Sequence, residues 1–153
     1  MFAAEGMKLR RSMVWWVVVL LPLLAVASGG ANYWLQTTNG ALETGWDVLT
    51  GQITLFYGMM FFSTGVALLG AAVWRPEHRS SSWNRVLTTG RSPVSLVLMK
   101  SVVILLLVVL VQLAFVGLSW GIGLLLGLRG APPPSFLVAA ALCVPVSVPL
   151  VLL

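Results

Sequence analysis

The chain has 153 residues, of which 59% are hydrophobic and only 8% charged, where a soluble domain carries about 25% charged residues. With a mean hydropathy of +0.99, this excludes an ordinary soluble globular domain, and also a disordered chain, which is poor in apolar residues and rich in charge. The net charge is +5, but the basic residues stand at the ends of apolar runs and form no continuous patch. That distribution points to anionic lipid and membrane orientation rather than to nucleic acid.

In chain order, Met1–Ser12 comes first. Phe2, Leu9 and Met13 share one helical face, and Glu5, Lys8 and Arg11 line another. The pattern predicts an interfacial helix over 1–12 leading into a span, and it also fits a frayed basic tail. A membrane helix needs about 20 apolar residues without charge, and a charge at its centre costs about 2.5–3.5 kcal/mol. Four stretches meet the requirement: 13–31, 49–74, 101–128 and 135–153. They predict an all-α, polytopic bundle of four transmembrane helices. The basic flank, apolar run and Ala25-Val26-Ala27 of the first stretch also fit a signal peptide with a cleavage site. Cleavage there would leave the other three spans oriented as below.

Loop charge sets the orientation. Lys8, Arg10 and Arg11 precede the first span, and Arg75, Arg79, Arg85, Arg91 and Lys100 lie between the second and third. Arg129 stands alone on the opposite side, where Glu43 and Asp47 also lie. The N-terminus and the 75–100 segment are therefore expected to face the cytoplasm of a multi-pass plasma-membrane protein. Trp15, Trp16 and Trp74 would then mark the inner interface, and Tyr33, Trp34 and Trp46 the outer one. The outer loops are short. Asn39-Gly40 is a turn signal, and Ala131-Pro132-Pro133-Pro134 cannot continue a helix.

The cytoplasmic segment 75–100 has its own pattern. Ser82 is a candidate cap, after which Trp83, Val86 and Leu87 fall on one face. Gly90 supplies a stop, and Ser92-Pro93 a start for the next helix. A short amphipathic helix of this kind lies on the bilayer or docks into a groove on a soluble partner, while a solvated positive-inside loop fits the composition equally well.

Within the spans, Ser63, Ala67 and Ala71 are spaced by four, and Gly117/Gly121 and Gly123/Gly127 form two G-x-x-x-G pairs expected to let helices approach. Gln112, Ser119 and Gly123 fall on one face that should point into the bundle. Gln52, Tyr57, Ser63 and Thr64 are candidates for a polar seam. The charge gaps predict no buried carboxylate or lysine in any span, which argues against a proton- or ion-coupled relay. No phosphate-binding loop, G-x-S-x-G, H-E-x-x-H or C-x-x-C motif occurs. With one cysteine, Cys143, and one histidine, His78, no metal site of the usual kind assembles from this chain, and no cofactor or catalytic residue is expected. Glu77 and His78 are adjacent but point in different directions on a helix.

Several motifs run in one order. They are Trp15-Trp16, Gly45-Trp46, Gln52 with Phe56-Tyr57, then Trp74-Arg75, Glu77-His78-Arg79, Trp83-Asn84 and Leu87, followed by Ser92-Pro93 and Lys100. This order resembles type-two ABC exporter permeases, and within them the permease subunits of lantibiotic immunity transporters. The resemblance implies a single permease domain over 1–153 with no catalysis of its own. Its partners would be a separate ABC ATPase subunit, a second permease subunit and membrane lipid. The 75–100 segment would act as a coupling helix, with Glu77, His78, Arg79, Trp83, Asn84, Arg85 and Leu87 contacting the ATPase and Trp83 as the apolar anchor. The cargo would be an amphipathic peptide or similar antibiotic. Members of that family usually carry six spans, so a chain stopping at Leu153 is expected to be truncated. A rival expectation is a small four-span structural or regulatory protein that associates through its glycine faces.

Overall fold

The computed structural model describes residues 14–79 and 93–149. In hydrocarbon no water is present to pair with the backbone, so an apolar chain satisfies its N–H and C=O groups within helices. Every regular element among the described residues is helical. We number them α1 (Val14–Thr38), α2 (Trp46–Phe56), α3 (Phe62–Arg79), α4 (Pro93–Leu125) and α5 (Pro134–Val146). A π-helical turn, Tyr57–Phe61, joins α2 to α3, so the two run on as one rod.

Among the described residues, three helical stretches are long and apolar enough to cross a membrane: Val14–Thr38, Trp46–Arg75 and Val97–Leu125. The fourth apolar helix, Pro134–Val146, has 13 residues. At 1.5 Å per residue these 13 residues reach about 20 Å, and the rest of the expected fourth span runs on past the described residues.

The helix ends depart from those expected. α1 continues beyond residue 31 to Thr38 because its polar last turns find partners: Thr37 and Thr38 hydroxyls donate to the Tyr33 and Trp34 carbonyls at 2.9 and 2.6 Å. Gly40 then stops the helix at φ +70°. Ala41 N–H reaches the Gln36 carbonyl (2.9 Å) and Gly40 N–H the Thr37 carbonyl (3.2 Å), the two bonds of a Schellman ending. α4 begins at Pro93, at the Ser92-Pro93 start. It ends at Leu125, where the same device recurs with Gly127 at φ +85° and Leu128 N–H on the Gly123 carbonyl (3.0 Å). Gly127 is thus a helix stop and not a packing glycine. α5 opens with Pro134 at its first position, after an extended Pro133.

The core is the seam where α1, the α2–α3 rod and α4 meet. Val18, Ala25 and Val26 of α1 are buried there with Leu49, Ile53, Val66 and Leu69 of the rod and Ile104, Val108 and Phe115 of α4. α5 packs chiefly on α4, through Phe136, whose ring centroid is 5.6 Å from that of Phe115. Trp16, Met59, Leu113 and Leu125 are among the many large apolar side chains left exposed. In water such a surface would aggregate, whereas acyl chains solvate it.

Close helix approach comes from Gly29 and Gly30, outside the expected pairs, and from Gly123, one member of them. A Cβ on Gly29 of α1 would lie 2.5 Å from the Ile53 Cα, so the two backbones are in contact there. Gly30 faces Ile122, and Gly123 takes the edge of the Trp46 ring, which a Cβ would overlap. A Cβ on Gly117 or Gly121 would meet no atom of the described residues within 4 Å. Ser63, Ala67 and Ala71 are likewise exposed.

Candidate functional site

Among the described residues, three polar arrangements interrupt the apolar interior, one at each end of the bundle and one midway. At the first end lies Lys100, seven residues into α4. Its side chain is 1% exposed, its Nζ donates to the Val73 carbonyl at 2.8 Å, and the ammonium stands 5.1 Å from the Trp74 ring centroid. The expectation of no buried lysine is therefore overturned. Lys100 borders the uncharged run, and the helix that starts at Pro93 carries it inside the bundle. A buried ammonium needs partners, and a carbonyl with an aromatic face supplies them. The contact ties α3 to α4 at the ends that residues 80–92 connect.

At the opposite end a hydrogen-bonded ladder joins α1 to α2. Asn32 Nδ2 donates to Gln52 Oε1 (2.7 Å), and Gln36 Nε2 donates to Asn32 Oδ1 (3.1 Å). The Tyr33 hydroxyl accepts from the Gly45 N–H (3.1 Å) at the start of α2. Two indoles hold the turn after α4: Trp46 Nε1 donates to the Arg129 carbonyl (2.8 Å) and Trp120 Nε1 to the Gly130 carbonyl (3.1 Å). Replacing Asn32 by leucine leaves Gln52 and Gln36 without their shared partner. Polar pairs between membrane helices contribute about 0.6 kcal/mol on average and up to about 1.7. The variant is expected to lose about 1 kcal/mol, read as a lower unfolding midpoint in lipid nanodiscs.

Midway, the π-helical turn aims Tyr57 inward. Its ring stacks on Phe115 with centroids 3.9 Å apart and planes 16° apart, and Phe62 lies at 5.7 Å. The polar neighbours of its hydroxyl are the Gln112 carboxamide on α4 and the Cys143 thiol on α5. Both groups are buried, and the Tyr57 hydroxyl and Gln112 carboxamide face each other as hydrogen-bonding neighbours, outside ideal geometry. Of the expected seam, Gln52 and Tyr57 do face the interior. Ser63 and Thr64 do not: both are exposed, and Thr64 bonds back to the Met60 carbonyl at 2.7 Å. Gln112, Ser119 and Gly123 all point into the bundle.

The residues expected to meet an ATPase are placed as follows. Glu77, His78 and Arg79 form the last turn of α3, with side chains outside those described. Trp83, Asn84, Arg85 and Leu87 lie outside the described residues, as do the expected interfacial helix 1–12 and the end of the expected fourth span. Sequence reading missed Asn32, whose partner is 20 residues away, and Lys100. Their signal was a polar residue within reach of an apolar run on both sides.

A family model for the ABC-2 family transporter proteins matches residues 1–153. The chain belongs to the ABC-2 transporter family. No curated protein and no solved structure matches it. As an ABC-2 family protein it is embedded in a membrane and is a permease component of an ABC transporter. Such permeases are generally non-catalytic and normally work with an ATPase subunit. Among the described residues no group of His, Cys, Asp and Glu side chains converges on a metal position.

Proposed function

We propose that this chain is the membrane subunit of an ATP-driven exporter that expels an amphipathic peptide or similar hydrophobic antibiotic, in the manner of lantibiotic immunity permeases. A separate ATPase would drive it, and a second permease subunit would complete the pore. On this reading the N-terminus and the Lys100 end of the bundle face the cytoplasm, which agrees with the eight basic residues on that side. Residues 75–100 receive the motion of the ATPase, with Trp83 as anchor and Glu77, His78, Arg79, Asn84, Arg85 and Leu87 around it. The reading rests on the family match over the whole chain. The Lys100 contact supports it, because a push on residues 80–92 would be passed to α3 and α4 together. Gly117 and Gly121, whose Cβ positions meet no atom of the described residues within 4 Å, leave a small-residue surface suited to a paired subunit.

Co-purification tests the proposal. The tagged chain, extracted in mild detergent, is expected to bring down an ABC ATPase of the same cell. A buried tryptophan anchor contributes about 2 kcal/mol or more to such an interface, so Trp83→Ala should cut recovery of the ATPase at least tenfold while the chain itself is recovered normally. Recovery of membrane proteins only, with no ATPase, would instead support the four-span structural protein.

A further inference from the structure

An open pocket of about 490 Å³ lies between α2 and the start of α5, at the end of the bundle opposite Lys100. Asp47, Thr50 and Thr54 of α2 line it with Ser135 of α5, and Leu55 and Phe136 add apolar surface. Asp47, Thr50, Thr54 and Leu55 stand at i, i+3, i+7 and i+8, one stripe of the helix. The lining therefore grades from a carboxylate at the start of the span to an aliphatic side chain about 12 Å deeper, at 1.5 Å per residue. Sites for small molecules have roughly 300–1,000 Å³ and combine apolar surface with a few placed polar groups.

Two observations indicate what fits. The start of a helix accounts for an acidic residue there, yet among the described residues the Asp47 carboxylate has neither a hydrogen bond nor an ion pair. The second observation lies deeper. Thr50 and Thr64 return their hydroxyls to their own helix at 2.7 Å, a common use of such a group in a span. Thr54 lies in the same Trp46–Arg75 span and is exposed, but among the described residues its hydroxyl makes no such bond, and neither does that of the exposed Ser135 across the pocket. A carboxylate accepts only, and a hydroxyl accepts as well as donates. Acyl chains offer them no donor. One carboxylate is too few for a metal site, and no metal-holding group occurs among the described residues. A primary ammonium, with one positive charge and three N–H donors, complements the set.

We propose that the α2–α5 pocket binds a primary ammonium carried on an apolar body. The ammonium pairs with Asp47 and Ser135 at the mouth, and the body runs inward past Thr54 to Leu55 and Phe136. Such a group comes either from a cationic amphiphile handled by the exporter or from an ethanolamine lipid headgroup. For its part in export the proposal rests on the exporter reading. Binding itself needs no ATPase, so the two can fail separately.

The test uses the purified chain in phosphatidylcholine nanodiscs, with a diazirine-tagged dodecylamine as photolabel and peptide mass spectrometry as readout. Saturable labelling is expected on residues 47–55 and 135–136. At equal concentration in the bilayer, untagged dodecylamine should compete about fivefold better than dodecanol, the factor one exposed ion pair supplies. Asp47→Asn keeps the shape and should erase that preference. Gly51→Trp, at a pocket position with nothing within 4 Å of its Cβ, should block the labelling, and thermal unfolding shows whether each variant is folded. Phosphatidylethanolamine in the nanodisc separates the two sources: competition by it supports the site and assigns the pocket to the headgroup, and undiminished labelling supports the site and assigns it to a free amphiphile. Equal competition by dodecylamine and dodecanol, or an amine preference that survives in Asp47→Asn, overturns the proposal. So does labelling that persists in folded Gly51→Trp or spreads evenly over the lipid-facing surface, or a cross-link between two copies through the pocket, which assigns it to a second permease.

Discussion

Replacing Gly29 by valine is expected to cost about 3 kcal/mol or more and to lower the unfolding midpoint further than any single polar change in the bundle. Overpacking a core usually costs 1–3 kcal/mol, because neighbours shift or change rotamer. Here the neighbour is the Ile53 backbone, whose Cα would be 2.5 Å from the new Cβ, and a backbone has no rotamer to change. The α1 and α2 axes must separate, and the Asn32–Gln52 bond one turn away, at 2.7 Å, must stretch with them. Gly51→Ala is the matched control: nothing lies within 4 Å of its Cβ position, so its effect should stay within about 1 kcal/mol. Thermal unfolding in nanodiscs checks the pair. Equal midpoints for the two variants would show that α1 and α2 are not in backbone contact.

Truncating Lys100 to alanine should be the second largest loss, about 3–4 kcal/mol. Two effects contribute. The buried stem leaves a cavity, as in large-to-small core changes costing 2–5 kcal/mol, and the charge-assisted bond to the Val73 carbonyl at 2.8 Å contributes about 1.5–3 kcal/mol of its own. Relief of the buried charge works in the opposite direction, since removing a desolvated ion recovers several kcal/mol. Methionine separates the terms, because it keeps the volume and discards the charge. Lys100→Met is therefore expected to be at least about 2 kcal/mol more stable than Lys100→Ala. If methionine and alanine unfold alike, packing of the stem contributes little and the ammonium's contacts dominate. On the exporter reading, both variants should also weaken ATPase recovery, because the ends of α3 and α4 are no longer tied together.

The span pattern was legible because charge is excluded from hydrocarbon at a cost large enough to shape composition. Three of the four apolar gaps correspond to helices able to cross a membrane. The helix stops were legible in part: Asn39-Gly40 marks the end of α1, and Ser92-Pro93 the start of α4. Gly127 carries the same positive φ as Gly40, but within an apolar run its spacing from Gly123 suggested packing instead. For the interior, spacing along one helix was a poor guide. Gly117 and Gly121 form a good G-x-x-x-G pair and have no atom of the described residues within 4 Å of their Cβ positions, whereas Gly29 meets the backbone of another helix. Which glycine is used depends on where a second helix crosses, and one strand of sequence does not contain that crossing.

By itself the amino-acid sequence determined that this protein lives in a membrane as a bundle of helices, since transfer free energy and backbone pairing act residue by residue along the chain. It also carried the marks of an ABC-2 permease. The tertiary structure alone decided which polar side chains find each other. It brought Asn32 to Gln52, Lys100 to Val73 and Trp74, and the Gln112 carboxamide to the Tyr57 hydroxyl. Those outcomes depend on how helices distant in sequence are rotated and stacked, and the energy of a buried polar group is set by its neighbours in space.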